Sequence, residues 1–274
     1  MTLVAQANST LVAIPWRECQ VEIEHQWVNR HQALETRPLL VFLHEGLGSV
    51  SMWKDFPQAL CEACGLPGLV YSRPAYGQST PRADDETWGT DFMHRQALEV
   101  LPALLDALGV DQPIVLFGHS DGGSIALLFA AHHPDKCKAC VVAAPHLFVE
   151  DIAVSSIKLA RQAYDKADLR EKLARHHRNP DSAFRGWNDA WLSPAFLDWN
   201  IEAEVSRIKV PVLAVQGEQD EYGTMKQIRK IAELAPQTRL LELAHCGHSP
   251  HRDQAALLIS NVASFLEQHL GDLS

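Results

Sequence analysis

The segment Ile114-Val115-Leu116-Phe117-Gly118-His119-Ser120-Asp121-Gly122-Gly123 constrains this chain more than any other. Four consecutive apolar residues read as a strand buried on both faces. The segment from Gly122 to His132 has helical periodicity. Between them lies Gly-x-Ser-x-Gly. A strand that turns at once into a helix leaves no room for side chains two positions either side of the turn residue, and Gly118 and Gly122 supply none. Such a turn lifts the Ser120 hydroxyl to a helix N-terminus, where the dipole favours developing negative charge. The pentapeptide alone is a weak signal; the strand before it and the helix after it make it a strong one.

The rest of the chain supplies a setting for that turn. Apolar runs recur at Leu39–Leu43, Gly68–Ser72, Ala139–Ala143, Val212–Val215 and Leu240–Leu243, and Val21–Trp27 alternates as a half-buried strand does. Helical periodicity separates them. Met93 to Leu108 puts Ala97, Leu98, Leu101, Leu104, Leu105 and Leu108 on one face and stops at Gly109. Thr224 to Leu234 and Ala255 to Leu270 follow the same rule. Strand and helix in such alternation predict an α/β fold, a mostly parallel sheet with helices on both faces. The stretch from His146 to Val205 breaks the rhythm. It offers no core strand, holds Trp187, Trp191 and Trp199 and a charged helical stretch from Lys158 to Arg178, and carries breakers at Pro180 and Pro194. It is expected to form a helical cap, 146–205, inserted into a core made of 1–145 and 206–274.

A serine lifted in this way becomes a nucleophile only beside a base, and the base needs a carboxylate to fix its tautomer. Asp220 follows the run Val212–Val215, and His248 follows Leu240–Leu243 in Cys246-Gly247-His248-Ser249-Pro250. Both lie just past the C-terminal ends of expected strands, where ligands sit in open α/β sheets. Glu218 and Glu221 flank the acid, and His245 and His251 flank the base; register favours Asp220 and His248, leaving the neighbours solvated or supporting roles.

From about Val21 to Leu270 the chain resembles the α/β-hydrolase superfamily of serine hydrolases. The motifs stand in order: His44-Glu45-Gly46-Leu47-Gly48, then Arg73-Pro74-Ala75-Tyr76-Gly77-Gln78-Ser79, then the Ser120 turn, then the Asp220 and His248 loops. The family usually reads His-Gly where this chain has His44-Glu45. The resemblance implies catalytic Ser120, Asp220 and His248. It implies an oxyanion hole made of the backbone N–H of Asp121 and that of Gly46, with Leu47 as the alternative donor. It also implies acyl transfer on a small-molecule ester, lactone, thioester or amide, with no metal and no organic cofactor. Asp121, Trp187 and Trp191 are expected near the substrate. His44 and His119 are expected to make structural hydrogen bonds. Within the superfamily a serine at position 120 excludes the aspartate-nucleophile dehalogenases and epoxide hydrolases. Carbon–carbon bond hydrolysis and non-catalytic small-molecule binding are the alternatives.

Composition narrows the partners. The 274 residues carry a formal charge of −10 and are 46% apolar, a balance suited to one large core and unsuited to nucleic acid or an anionic membrane. Met1 to Ser9 has neither a basic flank nor a long apolar run, so it does not read as a signal peptide. No stretch approaches the roughly 18 apolar residues of a membrane span, and a cytoplasmic protein is expected; the oligomeric state is left open. Of six cysteines, Cys61/Cys64 and Cys137/Cys140 have zinc-type spacing. They precede strands expected to lie three steps apart, about 14 Å at 4.8 Å per step. One zinc with bonds of about 2.3 Å does not span that gap.

Overall fold

The computed structural model describes residues 9–31 and 36–271. The expectation for the first eight residues lies outside them. The strands are β1 (Thr10–Trp16), β2 (Cys19–Val28), β3 (Leu39–Leu43), β4 (Gly68–Tyr71), β5 (Ile114–His119), β6 (Cys137–Ala143), β7 (Val212–Gly217) and β8 (Thr238–Leu243). The helices are α1 (Phe56–Cys64), α2 (Phe92–Arg95), α3 (Leu101–Ala107), α4 (Asp121–His132), α5 (Asp151–Lys166), α6 (Leu169–Leu173), α7 (Pro180–Trp191), α8 (Glu202–Val205), α9 (Lys226–Leu234), α10 (Pro250–Asp253) and α11 (Ala255–Leu270).

All eight strands form one sheet in the order β1-β2-β4-β3-β5-β6-β7-β8. The pairs β1/β2 and β2/β4 are antiparallel, and every pair from β4 to β8 is parallel. The sheet therefore has the mostly parallel character expected of alternating strands and helices. The period of two divides the core. Val41, Leu43, Leu116, Val142 and Ala214 face a layer containing α3 and α4, while Leu40, Phe42, Phe117, Val141 and Val215 face α1 and α11. Both layers are buried and apolar, so these strands need the continuous apolar runs that the sequence shows.

Several elements differ from expectation. Strand β1 was not legible, because only Ile14 of its seven residues is buried and Pro15 interrupts it. The helix expected from Met93 to Leu108 is broken: a π-turn over Gln96–Val100 separates α2 from α3. Pro102 lies in the first turn of α3, and a proline has no N–H to return to the preceding turn, so the ladder widens just ahead of it. Pro180 was read as a breaker but starts α7, with Asn179 accepting the N–H of Ser182 at 3.0 Å. Proline at the first helical position loses no bond that the helix would have made. The charged stretch from Lys158 to Arg178 breaks between Lys166 and Leu169 and stops at Leu173.

The two cysteine pairs sit on α1 and β6, with β3 and β5 between β4 and β6. Among the described residues no group of three or more His, Cys, Asp or Glu is placed to hold a metal ion. No helix of the described residues is long and apolar enough to cross a membrane. Between β6 and β7, α5 and α7 bring Ile157, Trp187 and Trp191 to the C-terminal strand ends, and His177 bridges this segment to the core. Its Nδ1 accepts the N–H of Gly77 at 2.9 Å, and its Nε2 donates to the carbonyl of Leu47 at 3.0 Å.

Candidate active site

Strand β5 ends in His119, and Ser120 adopts φ 54°, ψ −121° before α4 begins. This left-handed conformation is costly for a residue with a Cβ and persists only where the surroundings impose it. They do so by backbone contact. A Cβ on Gly118 would lie 2.2 Å from the carbonyl oxygen of Gly122, and one on Gly122 would lie 2.1 Å from that of Leu43. The two glycines are thus required by main chain, which cannot give way. Ser120 is fixed further by its N–H donating to Ala143 O at 2.9 Å.

The loop after β7 carries Asp220 and the loop after β8 carries His248. The Ser120 hydroxyl donates to His248 Nε2 at 2.9 Å, and His248 Nδ1 donates to Asp220 Oδ1 at 2.8 Å. Asp220 also accepts the N–H groups of Tyr222 at 2.8 Å and Gly223 at 3.2 Å on Oδ1, and Gln216 Nε2 at 3.2 Å on Oδ2. Burial pushes this carboxyl upward, but the His248 hydrogen bond and charge and the Tyr222 amide outweigh it and hold it below its usual range. The flanking candidates are elsewhere. Glu218 is exposed, and Glu221 accepts the His248 backbone N–H at 3.2 Å. His245 is exposed, while His251 is buried against His119 with ring centroids 4.7 Å apart.

A cavity of about 180 Å³ opens above Ser120, lined by Gly46, Leu47, Ser120, Asp121 and His248 with Trp187 and Trp191 on one wall. A dry cavity of about 150 Å³ holds benzene, so the space suits a short chain or a single ring. The backbone N–H groups of Gly46, Leu47 and Asp121 donate no hydrogen bond among the described residues. A Cβ on Gly46 would lie 2.2 Å from Trp187 Nε1, so α7 closes down on the 44–48 loop only because that residue is glycine. His44 secures the loop from behind, its Nδ1 donating to Glu45 O at 2.6 Å and its Nε2 accepting the Arg73 N–H at 3.0 Å. Arg73 Nη2 donates to the same Glu45 carbonyl at 2.8 Å. His119 Nε2 donates to His248 O at 2.7 Å. Both histidines thus make the structural bonds expected of them.

Asp121 is 1% exposed. Trp191 Nε1 donates to its Oδ1 at 3.2 Å, and its Oδ2 is buried without a partner. Burial pushes its carboxyl up to about 6, against the pull of Arg73, Trp191 and His248. Trp199, the third tryptophan of the 146–205 stretch, stacks on Phe196 at 5.2 Å, away from the lining. Sequence reasoning gave no functional weight to His146, Ile157, Tyr222 or Ser249, all of which line the cavity. For His146 a signal existed: it stands three residues past the end of β6, at the sheet edge where ligands bind.

A family model described as the alpha/beta hydrolase fold matches residues 38–185. The chain belongs to the alpha/beta hydrolase fold family. Among its relatives in that family, the Mus musculus sn-1-specific diacylglycerol lipase ABHD11 is 25% identical over 260 residues, covering 84% of this chain and 81% of its own. The 2-hydroxy-6-oxo-6-phenylhexa-2,4-dienoate hydrolase of Comamonas testosteroni is 22% identical over 257 residues, covering 84% and 87%. A putative lipase from Acinetobacter baumannii superposes with a TM-score of 0.74 at 18% identity, over 96% of this chain and 93% of that one, a likeness of fold. The family and these relatives support hydrolase activity for the chain.

Proposed function

We propose that the chain is a cofactor-independent serine hydrolase that cleaves a small carboxylic ester, lactone, thioester or amide through an acyl-enzyme. The observation that carries this reading is the unbroken relay from Ser120 through His248 to Asp220, at 2.9 and 2.8 Å. In the proposed reaction Ser120 Oγ attacks the substrate carbonyl while its proton passes to His248 Nε2. Asp220 holds the Nδ1–H tautomer and stabilises the imidazolium. The oxyanion rests between the N–H of Asp121 and that of Gly46, with Leu47 the alternative; one such donor is worth about 3 kcal/mol of transition-state stabilisation. His248 protonates the leaving atom, the acyl group stays on Ser120, and a water deprotonated by His248 frees the acid. The segment 146–205 acts in this proposal as a cap that shapes the pocket through Trp187 and Trp191.

The Comamonas relative's name supports a second reading, carbon–carbon bond hydrolysis. A dienoate carries a carboxylate, however, and no lysine or arginine stands among the described lining residues to pair with it. Such a wall offers a buried anionic group no counter-charge, and ester hydrolysis is the preferred reading. The test is labelling by a fluorophosphonate probe. Wild type should be labelled at one site, Ser120→Ala should lose both the label and hydrolysis of p-nitrophenyl acetate, and activity surviving in Ser120→Ala would overturn the proposal.

A further inference from the structure

His119, His146 and His248 are the histidines lining the cavity. His119 and His248 are engaged by hydrogen bonds to the protein, as described. His146 is not: neither ring nitrogen makes a hydrogen bond among the described residues, and Nδ1 is buried without a partner although the residue is only 3% exposed. Its backbone is fixed twice, the N–H donating to Ser124 Oγ at 3.0 Å and the carbonyl accepting the Ser124 hydroxyl at 2.7 Å. The ring stands edge-on to Trp191 at 5.0 Å and lies 6.0 Å from the His248 ring. Gly223 lies against Cε1, where a Cβ would come within 3.7 Å. The side chain is thus set into the pocket wall beside the reacting centre, with polar atoms that the protein leaves unpaired.

Burying a polar nitrogen without a partner is costly, and a ligand that pairs it recovers that cost. Burial, reinforced by the nearby charge of His248, lowers this imidazole to about 3, so it is neutral. One nitrogen then donates and the other accepts. A hydroxyl is the uncharged substituent that pairs with either nitrogen, whichever tautomer is present. A carboxylate would find no lysine or arginine among the described lining residues to pair with. On this basis, and resting on the acyl-enzyme reading above, we infer that His146 is a specificity-determining residue that receives a hydroxyl on the acyl chain, two or three carbons from the ester oxygen. The preferred substrates are uncharged hydroxyacyl esters.

The test compares p-nitrophenyl butyrate with the 2-hydroxybutyrate and 3-hydroxybutyrate esters, each corrected for its spontaneous hydrolysis. Wild type should favour at least one hydroxy ester by tenfold or more in kcat/KM. His146→Phe, which fills the space against Trp191 without a polar atom, should lose that preference, its kcat/KM falling at least tenfold more on the favoured hydroxy ester than on the butyrate. His146→Gln, which keeps a donor and an acceptor, should retain part of it. No preference in wild type, a preference that survives His146→Phe, or an equal loss on all three esters would overturn the assignment. Fluorophosphonate labelling of Ser120 in the same preparations keeps this failure distinct from failure of the nucleophile assignment.

Discussion

Replacing Asp220 with asparagine separates charge from shape at the proposed acid. Oδ1 of Asp220 receives three N–H groups, from His248 Nδ1, Tyr222 and Gly223. An asparagine must place its oxygen there, because its NH₂ would face three donors. The His248 tautomer is therefore preserved, and what is lost is the negative charge opposite the imidazolium that forms during reaction. Two unit charges about 4 Å apart interact by about 4 kcal/mol at an effective dielectric of 20. At 1.36 kcal/mol per tenfold, that is a fall of about 10³ in kcat. The NH₂ group then meets Gln216 Nε2, previously a donor to Oδ2 at 3.2 Å. Gln216 can turn its buried, unpartnered Oε1 toward it, but loses its bond to Gly223 O at 2.8 Å. The stability cost should be about 1 kcal/mol, one net hydrogen bond. Steady-state hydrolysis of p-nitrophenyl acetate reads the first quantity and urea unfolding the second. A kcat within tenfold of wild type, in a folded protein, would refute the assignment of Asp220 as the carboxylate that serves His248.

Three further outcomes are expected. His248→Ala should lose several orders of magnitude in kcat whereas the exposed His245→Ala should stay within a few-fold of wild type, measured on the same ester; the reverse order would show that the base was misplaced. Asp121→Asn should change kcat/KM for a neutral ester and an amino-substituted ester by the same small factor, since the carboxyl bonds Trp191; a selective tenfold fall for the amino ester would show that Asp121 reads substrate charge. Stability should fall as pH drops below about 6.5, the unfolded histidine value. His146, His177 and His251 are buried, with folded values lowered to about 3, 4 and 2, so the unfolded chain takes up protons that the native state refuses. Each contributes a slope approaching ~1.4 kcal/mol per pH unit, and urea midpoints that do not change between pH 7 and 5 would contradict it.

How much of this could be seen in the sequence follows from where each partner lies. The central strands were legible because burial on both faces leaves a continuous apolar run, as in Leu39-Leu40-Val41-Phe42-Leu43. Strand β1 was not, because an edge strand with one fully buried residue carries no such pattern. Ser120, Asp220 and His248 could be picked out since each follows a strand end, and the structure brings those three side chains into one hydrogen-bonded line. The choice of Asp220 over Glu221 depended on loop register; Glu221 accepts the His248 backbone N–H. His177 could not be found, because its partners at Gly77 and Leu47 are 100 and 130 residues away. The free ring of His146 was equally hidden: an unsatisfied nitrogen is a property of the packed wall and leaves no trace in spacing.

The same distinction between local pattern and packed wall accounts for Glu45, where the chain departs from the usual glycine of its family. The carboxylate does not enter the cavity as a free charge beside the proposed oxyanion donors. Its Oε2 lies 3.5 Å from His119 Nδ1 and its Oε1 3.5 Å from Arg252. Burial raises this carboxyl, yet His119, His251 and Arg252 together hold it well below its usual range. Glu45 thereby ties the loop that offers the Gly46 and Leu47 N–H groups to the loop that carries His248, through one side chain that precedes Ser120. A glycine at position 45 would leave those three segments without that link, so Glu45 belongs to the positioning of the proposed site.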